Sequence, residues 1–369
     1  MTSRIIVRAG SQSPSADSGQ RSGAAGTVAL MIMAMVLVAA FIAFPGLPSA
    51  LLKAGQNLLQ EGGQQSDTLA GFNIYSPLIQ NGVANVSYPS SYDVLAAYAV
   101  QLVNQDRANY SLGPVVLSPN EAGQQHADSM LKFGYFSHYD TQGFKPYMRY
   151  SLLGGTGAVE ENVATTSYSV QHYTSLSAVE GSLRLLEYSM MYHDNDSVGC
   201  YCNNGHRDNI LNPMHNRVSI GIAYDGSTLY FDEDFENHYA NLSLSSTSTY
   251  SITIQGTLLG NGAVPKTVLM AYDPTPAAET PAQLNAGPRE YDAGTIVGGV
   301  LPSCSFACPS FSQGITVYAS SWDTGGSRLI VSFSLSDFIR QSGPGVYTIY
   351  LMTGSDTGTA ITSISIFVR

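Results

Sequence analysis

The sequence predicts an α+β protein, with helices alternating with strands in its middle part and strands alone toward its C-terminus. Apolar residues recur at helical spacing from Val94 and again from about Ser177. Residues 218–224 and 229–236 alternate or run apolar, as strands do. Beyond Asn241, short β-type runs are separated by Gly, Pro and Ser, so we expect an all-β region there.

The first element is an uncharged apolar segment at residues 27–44. As a helix, its length of about 27 Å is enough to cross the hydrocarbon core of a bilayer. Arg4, Arg8 and Arg21 precede it together with a single acid, so the N-terminus is expected in the cytoplasm. The sequence therefore predicts a cytoplasmic tail at 1–26, a single-pass signal anchor, and a cell-membrane protein whose bulk is extracellular.

A cleaved signal peptide is the alternative, because residues 48–50 offer small side chains to a peptidase. The leader of 26 residues is long for a signal peptide and favours the anchor. Residues 45–90 are rich in Gly, Gln, Asn and Ser and show little apolar periodicity. They are therefore predicted to form a linker or stalk.

The middle region, residues 91–241, is predicted to contain several helices. Ser118 offers an N-cap for a helix that starts at Pro119 and stops at Gly134. Two further helices are predicted, at residues 144–153 and 177–192.

The predicted strands at 218–224 and 229–236 are joined by Asp225 and Gly226, a hairpin turn dipeptide. The region 246–369 then contains six strand-like runs, at residues 250–254, 267–272, 315–319, 329–335, 346–351 and 361–368. Short strands of this number over about 120 residues are typical of an immunoglobulin-like β-sandwich. Modules of this kind commonly bind, space or pack.

Three separated segments of the middle region carry the residues most suited to chemistry. They contain His138, Glu161 and His206, and they lie at residues 134–138, 160–164 and 204–213. Each segment places an imidazole or a carboxylate beside small or turn-forming residues. Such side chains, brought together in one cleft, suit a metal ion or an acid–base pair.

These segments, with residues 102–107, 126–130 and 218–224, form a pattern that resembles the CAP superfamily. That superfamily comprises cysteine-rich secretory, antigen 5 and pathogenesis-related-1 proteins, and the resemblance is to its prokaryotic SCP-like branch. It covers about residues 93–240. It implies an α-β-α sandwich, in which helices cover both faces of a small, mostly antiparallel sheet.

The resemblance also implies a cleft lined by two histidines and two glutamates, in which the histidines can hold a divalent metal such as Zn²⁺. By motif the histidines are His138 and His206, and the first glutamate is Glu161. Glu187 is the choice for the second glutamate, with Glu180 as the alternative. Neutral imidazoles bind zinc while carboxylates orient them. A buried hydrogen-bonded network that only stabilises the cleft is the competing interpretation.

Several other polar residues are expected to have structural roles. Arg207 and Asn209 should brace the loop after the second histidine, in support of the site. His126 is expected to be a satisfied core histidine on a helix face. The acidic runs at 194–196 and 232–234 lack the spacing of an EF-hand loop, so solvated turns are favoured over Ca²⁺ sites.

The cysteines and sequons fit an exported chain. Four cysteines fall in two close pairs, Cys200/Cys202 and Cys304/Cys308. They are disulfide candidates, and Cys304 with Cys308 closes the easier loop, while pairing across regions and a Cys₄ zinc site stay open as alternatives. Sequons mark four candidate glycosylation sites, at Asn85, Asn109, Asn195 and Asn241.

Composition limits the partners. The net charge is −11 and only four lysines occur, so no basic patch is available and nucleic acid is excluded as a partner.

The sequence favours a membrane-anchored extracellular binding or envelope-interaction module that takes a lipid, a glycan or a protein. The alternative is a metal-dependent hydrolase of peptides or envelope polymers. No catalytic residue is assigned, because Ser137 beside His138 lacks a nucleophile elbow.

Overall fold

The computed structural model describes residues 74–75, 90–194, 204–246, 250–260, 263–354 and 358–369. The predicted cytoplasmic tail, the anchor and most of the stalk lie outside these residues, as do Asn85, Asn195, Cys200 and Cys202. Within the described ranges, no helix combines the length and the apolar character that a membrane span requires.

The first sheet has the strand order β2-β4-β5-β3. Its strands are β2 (Val116–Leu117), β3 (Ala158–Ser167), β4 (Arg217–Tyr224) and β5 (Thr228–Asn237). β2 runs parallel to β4, and the other two pairs are antiparallel. Asp225 closes the predicted β4–β5 hairpin, since its amide donates to the carbonyl of Thr228 over 3.0 Å. β3 is left at the edge of the sheet.

Helices cover both faces of this sheet. They are α1 (Ser90–Asn109), α2 (Ala122–Phe133), α3 (Pro146–Leu152), α4 (Leu176–Tyr192) and α5 (Gly205–Ile210). Leu95 of α1 and Leu183 of α4 share a core with Ile220 of β4. On the other face, α2 approaches so closely that a Cβ on Gly221 would lie 2.1 Å from the carbonyl oxygen of Gly123. The mixed helix and sheet content predicted for this region is confirmed.

The start of α2 differs from the prediction. The helix begins at Ala122 rather than at Pro119. Asn120 explains the later start, because its Oδ1 accepts from the amide of Ala122 over 2.9 Å and holds a turn there. The predicted stop at Gly134 is confirmed, with a left-handed φ of 69° that favours glycine.

Two further sheets follow. One has the order β11-β12-β7-β6, and the other has the order β1-β14-β13-β8-β9-β10. The strands of the first are β6 (Ala240–Ser246), β7 (Ser251–Leu258), β11 (Ser321–Asp323) and β12 (Arg328–Ser334). Those of the second are β1 (Ile74–Tyr75), β8 (Thr267–Asp273), β9 (Thr295–Leu301), β10 (Ile315–Tyr318), β13 (Gly345–Met352) and β14 (Ala360–Val368). The short helices here are α6 (Pro281–Ala286) and α7 (Ser336–Ser342).

These two sheets pack on one apolar core, to which Ile254 and Phe333 contribute from the first sheet and Ile349 and Ile366 from the second. All six predicted strand runs are present. β9 was missed because it contains two glycines, which weaken a strand signal. Gly298 is needed there, since a Cβ would lie 2.0 Å from the carbonyl oxygen of Ile315.

The middle region, residues 91–241, and the two sheets that follow it share a hydrophobic core. Tyr147 and Val159 of the first region pack with Tyr291, Val346 and Phe367 of the second. Polar contacts also cross this junction. They include Asn237 Nδ2 to the Ala360 carbonyl (2.8 Å), the Ser365 amide to Ser151 Oγ (3.0 Å) and Thr362 Oγ1 to the Thr156 carbonyl. The two regions therefore pack as one continuous body.

Cys304 and Cys308, the pair expected to close the easier loop, form a disulfide. Because both thiols are used, the Cys₄ zinc alternative is wrong. Asn109 and Asn241 are exposed at the surface, so both are accessible to glycosylation, which stays a prediction.

Candidate functional site

The candidate site is built around the edge strand β3, which presents Glu161 and Asn162 in succession. Successive residues of a strand project to opposite faces. On the neighbouring strand β5, Asp234 lies opposite Glu161 and Glu233 lies opposite Asn162. The alternation therefore divides the polar interior into two clusters, one on each face of the sheet.

The first cluster, here the Glu161 cluster, consists of Glu161, His126, Arg149, Asp232 and Asp234. Arg149 NH2 donates to Glu161 Oε1, and Arg149 NH1 donates to the carbonyl of His138 over 2.7 Å. His126 Nδ1 lies 3.1 Å from Glu161 Oε1 and 2.8 Å from Asp232 Oδ2. All five side chains are buried.

Protonation in this cluster follows from burial and from Arg149. Burial alone would raise the pKa of Glu161, but Arg149 and His126 outweigh it and hold this pKa well below its usual range. Burial and the charge of Glu161 raise the pKa of Asp232 and of Asp234 well above its ordinary value, and Asp234 adds to the rise at Asp232 while Glu236 adds to the rise at Asp234. Burial, with the nearby Arg149, lowers the pKa of His126 to about 4. At neutral pH the charged pair is Glu161 with Arg149.

His138 is oriented by Glu161. Its Nδ1 lies 2.5 Å from Glu161 Oε2, and burial lowers the pKa of the imidazole. A neutral ring beside a carboxylate carries its proton on Nδ1, so the lone pair is on Nε2. That Nε2 atom is buried and has no hydrogen-bond partner among the described residues. A carboxylate that fixes the tautomer in this way is typical of a metal-binding histidine.

His206 is oriented by a second carboxylate, Asp194. Its Nδ1 lies 2.5 Å from Asp194 Oδ1, and its amide donates to Asp194 Oδ2 over 2.9 Å. Burial raises the pKa of Asp194 to about 6, so the carboxylate is still largely ionised at neutral pH. The proton of a neutral His206 is then also on Nδ1, and Nε2 carries the lone pair.

The second cluster, here the Glu187 pair, consists of Glu187 and Glu233. Burial, with the neighbouring Glu233, raises the pKa of Glu187 well above its ordinary value. Burial likewise raises the pKa of Glu233 to about 7. Asn162 Nδ2 lies 3.3 Å from Glu233 Oε2 and 3.2 Å from the carbonyl of His206. Asn162 therefore links this pair to the segment that carries the second predicted histidine.

The segment after His206 is held by two residues. Asn209 Nδ2 donates to Asn162 Oδ1 over 2.9 Å, a bracing contact of the kind expected for Asn209. The buried Arg107 donates to the carbonyls of Ile210 and Asn212 at 2.8 and 2.9 Å. Arg207 instead points to the surface, where its NH2 donates to Tyr110 Oη over 2.9 Å.

A metal ion can be tested against two sets of ligands. His126, Glu161 and Asp232 each offer a ligand atom, all within 4.8 Å of one another, so this group could hold a metal. However, Arg149 NH2 lies 3.0 Å from His126 Nδ1 and also bonds Glu161. A metal here would have to displace a guanidinium that already neutralises the group. In the second set, the imidazoles of His138 and His206 are each oriented by a carboxylate, Glu161 and Asp194 respectively.

The structure thus assigns the four predicted cleft residues to three carboxylate partnerships: His138 with Glu161, His206 with Asp194, and Glu187 with Glu233. Glu180, the alternative to Glu187, lies half-buried on α4 and has no part in these contacts.

Two sequence expectations need correction. The acidic run at 232–234 is not a solvated turn, because all three side chains are buried within β5. His126 is buried, as expected of a core histidine, but it lies among acids and an arginine, and its Nε2 has no hydrogen-bond partner among the described residues. Alternate acids on a predicted strand were the signal that could have identified this cluster. Asp194 of the run at 194–196 is also buried.

Comparison with known proteins gives one result. The model of the cysteine-rich secretory protein family, CAP, matches residues 100–240. A search of curated proteins finds no match. The matched residues include His126, His138, Glu161, Glu187 and His206.

Proposed function

We propose that the chain is an extracellular binding module with a CAP-like cleft that holds a divalent metal ion on His138 and His206. The match of the CAP family model to residues 100–240 supports this class of module. The observation that carries this proposal is the matched pair of carboxylate–histidine contacts at 2.5 Å. In each contact a neutral ring that is protonated on Nδ1 carries its lone pair on Nε2, which is the atom that binds zinc in carboxylate-oriented histidines.

In this proposal Glu161 and Asp194 hold the rings and do not bind the metal directly. Arg149 keeps Glu161 ionised, so that Glu161 can accept the Nδ1 proton of His138. A bound Zn²⁺ would supply a Lewis acid at the cleft. In the Glu187 pair, one or both carboxyl groups hold a proton, and Glu233 supports the side chain of Asn162 through a hydrogen bond.

The wider architecture is also part of the proposal. The sheet orders β6-β7-β12-β11 and β14-β13-β8-β9 correspond to the orders A-B-E-D and G-F-C-C′ of immunoglobulin-like sandwiches, which supports that class for the C-terminal region. From the sequence, we propose that an N-terminal anchor and stalk hold this body outside the cell. A lipid, a glycan or a protein is the proposed class of ligand.

A hydrolase is the second function that the sequence allows. In the described residues no observation favours it. Ser137 is buried, and its Oγ accepts from the amide of Tyr139 over 3.1 Å, which is a local turn contact.

The proposal is tested by zinc binding to the full-length protein, measured by metal analysis and by titration calorimetry. We expect the double variant His138→Ala/His206→Ala to lose bound zinc, with an affinity at least about 100-fold weaker, because it removes both ligand atoms. The double variant His126→Gln/Asp232→Asn removes ligands of the alternative group and should keep zinc within about threefold of the wild type. His172→Ala is the control for loss of a histidine remote from the site.

The outcomes separate the candidate sites. If the His126/Asp232 variant loses zinc instead, the metal belongs to the group with Glu161. If the wild-type protein binds neither zinc nor another divalent ion, the metal proposal is wrong. Thermal unfolding of each variant establishes that loss of metal is not loss of fold.

A further inference from the structure

We propose that the β-sandwich forms part of the CAP site, through the 274–294 segment that connects β8 to β9. Within this segment Tyr291 is a positioning residue for Glu161, and through Glu161 for His138. The inference deepens the proposed function, but its first test does not depend on a bound metal.

Tyr291 contacts the strand that carries Glu161. The amide of Glu161 donates to Tyr291 Oη over 3.1 Å, across a sequence separation of 130 residues. β3 is the edge strand of its sheet, so an outward-facing amide has no strand partner and must find another acceptor. The phenol oxygen of Tyr291, which lies between β8 and β9, is that acceptor. It binds the amide of Glu161, the residue that orients His138.

The ring of Tyr291 also packs against the site. Its centroid lies 5.1 Å from that of the His138 imidazole and 6.3 Å from that of Tyr147. Tyr291 is 5% exposed, so the contact is dry and the ring has a fixed place. Glu161 is therefore held at its backbone and His138 at its ring face by one side chain.

The same segment holds the loop that carries His138. Asn285 Oδ1 accepts from the amide of Phe136 over 2.9 Å, and Asn285 Nδ2 donates to the Gly134 carbonyl over 3.1 Å. Arg289 NH1 donates to the Phe136 carbonyl over 2.8 Å. The loop is thus tied just before His138.

A second attachment lies just after His138. The amide of Glu279 donates to the Thr141 carbonyl over 3.1 Å. At Gly143 the two backbones come so close that a Cβ would lie 2.3 Å from the carbonyl oxygen of Ala277. Lys145 Nζ then donates to Asp273 Oδ1 and Asp292 Oδ1, both at 2.7 Å. The 274–294 segment therefore fixes both sides of His138 as well as Glu161.

The first test is hydrogen exchange of the full-length protein, read by mass spectrometry with residue-level fragmentation. Tyr291→Phe removes the acceptor oxygen and keeps the ring. We expect exchange at the Glu161 amide to become about fivefold faster, the effect of one hydrogen bond. The amide of Asn162, which faces β5, should change much less.

Tyr347→Phe is the matched control. It also removes a buried phenol oxygen from the sandwich, where Tyr347 Oη donates to the Gly343 carbonyl over 2.6 Å. Exchange at the Glu161 amide should match the wild type in this variant. Asn285→Ala provides an independent reading, because it should accelerate exchange at the Phe136 amide.

The second measurement is zinc affinity by calorimetry. Tyr291→Phe should weaken zinc binding by about tenfold or more, as loss of a positioning contact around a metal ligand does, while Tyr347→Phe leaves it unchanged. Unchanged exchange at the Glu161 amide in Tyr291→Phe overturns the positioning role. If Tyr291→Phe accelerates exchange at the Glu161 amide but the wild-type protein binds no metal, the positioning role is supported. In that case only the metal proposal is refuted.

Discussion

The two faces of β5 carry buried acids that are neutralised in different ways. On one face, the Glu161 cluster contains Arg149, and Glu161 stays ionised because the guanidinium and His126 offset its burial. On the other face, neutral Asn162 rather than a cation contacts Glu233 within the described residues, and the carboxylates respond by holding protons. Burial therefore has two outcomes here. Glu161 stays charged beside Arg149, whereas Asp232 and Asp234 on the same face, and Glu187 and Glu233 on the other, have raised pKa values.

The largest expected effect comes from removing the cation. Arg149→Leu should lower the free energy of unfolding by about 3–5 kcal/mol, because it leaves Glu161 charged, buried and without its guanidinium partner. Urea unfolding at pH 7, followed by circular dichroism, measures the loss. Arg184→Leu, at an exposed position of α4, is the control.

Partial recovery in Arg149→Leu/Glu161→Gln would attribute the loss to uncompensated charge rather than to packing. A loss below about 1 kcal/mol in Arg149→Leu would contradict the cation-based description of this cluster.

On the face of β5 that carries Glu233, we expect a smaller change in the free energy of unfolding, and it is a gain rather than a loss. The folded pKa of Glu233 is raised to about 7, so the associated stability is complete below its ordinary pKa and is lost as the pH rises through about 7. Glu233→Gln carries no such penalty. It should therefore be more stable than the wild type by roughly 1–3 kcal/mol at pH 8 and similar to it near pH 4.

Urea unfolding at several pH values between 4 and 8 tests this, with the difference between variant and wild type as the measured quantity. Glu161→Gln sharpens the comparison, because the pKa of Glu161 is lowered and its contribution is lost as the pH falls. A constant difference between Glu233→Gln and the wild type at every pH would show that folding does not raise the pKa of Glu233.

The smallest effect is expected at a half-buried arginine whose guanidinium contacts an exposed tyrosine. Arg207 lies with its guanidinium carbon 5.4 Å from the centroid of the Tyr110 ring, at the surface. Arg207→Met should cost less than about 1 kcal/mol, because solvent already stabilises both groups. The same urea assay measures it, and a cost comparable to that of Arg149→Leu would show that burial does not set the difference between the two arginines.

Local sequence signals predicted much of this arrangement. The helices α3 and α4, the β4–β5 hairpin and the stop of α2 at Gly134 all follow from periodicity, caps and turn residues within a few positions. The motifs around His138 and Glu161 led to a pair that is in direct contact. The roles of Asp194 and Arg149 were missed, because nothing in their immediate sequence distinguishes them from surface charges.

By itself, the sequence determined which residue types were available and where helices and strands form, since these depend on neighbours along the chain. Only the tertiary structure decided which acid each histidine meets and which charges are neutralised. His126 meets Asp232 across 106 residues, and Glu161 meets Tyr291 across 130. Such contacts arise from how the sheets and helices pack, and burial then sets the protonation of every group that the packing encloses.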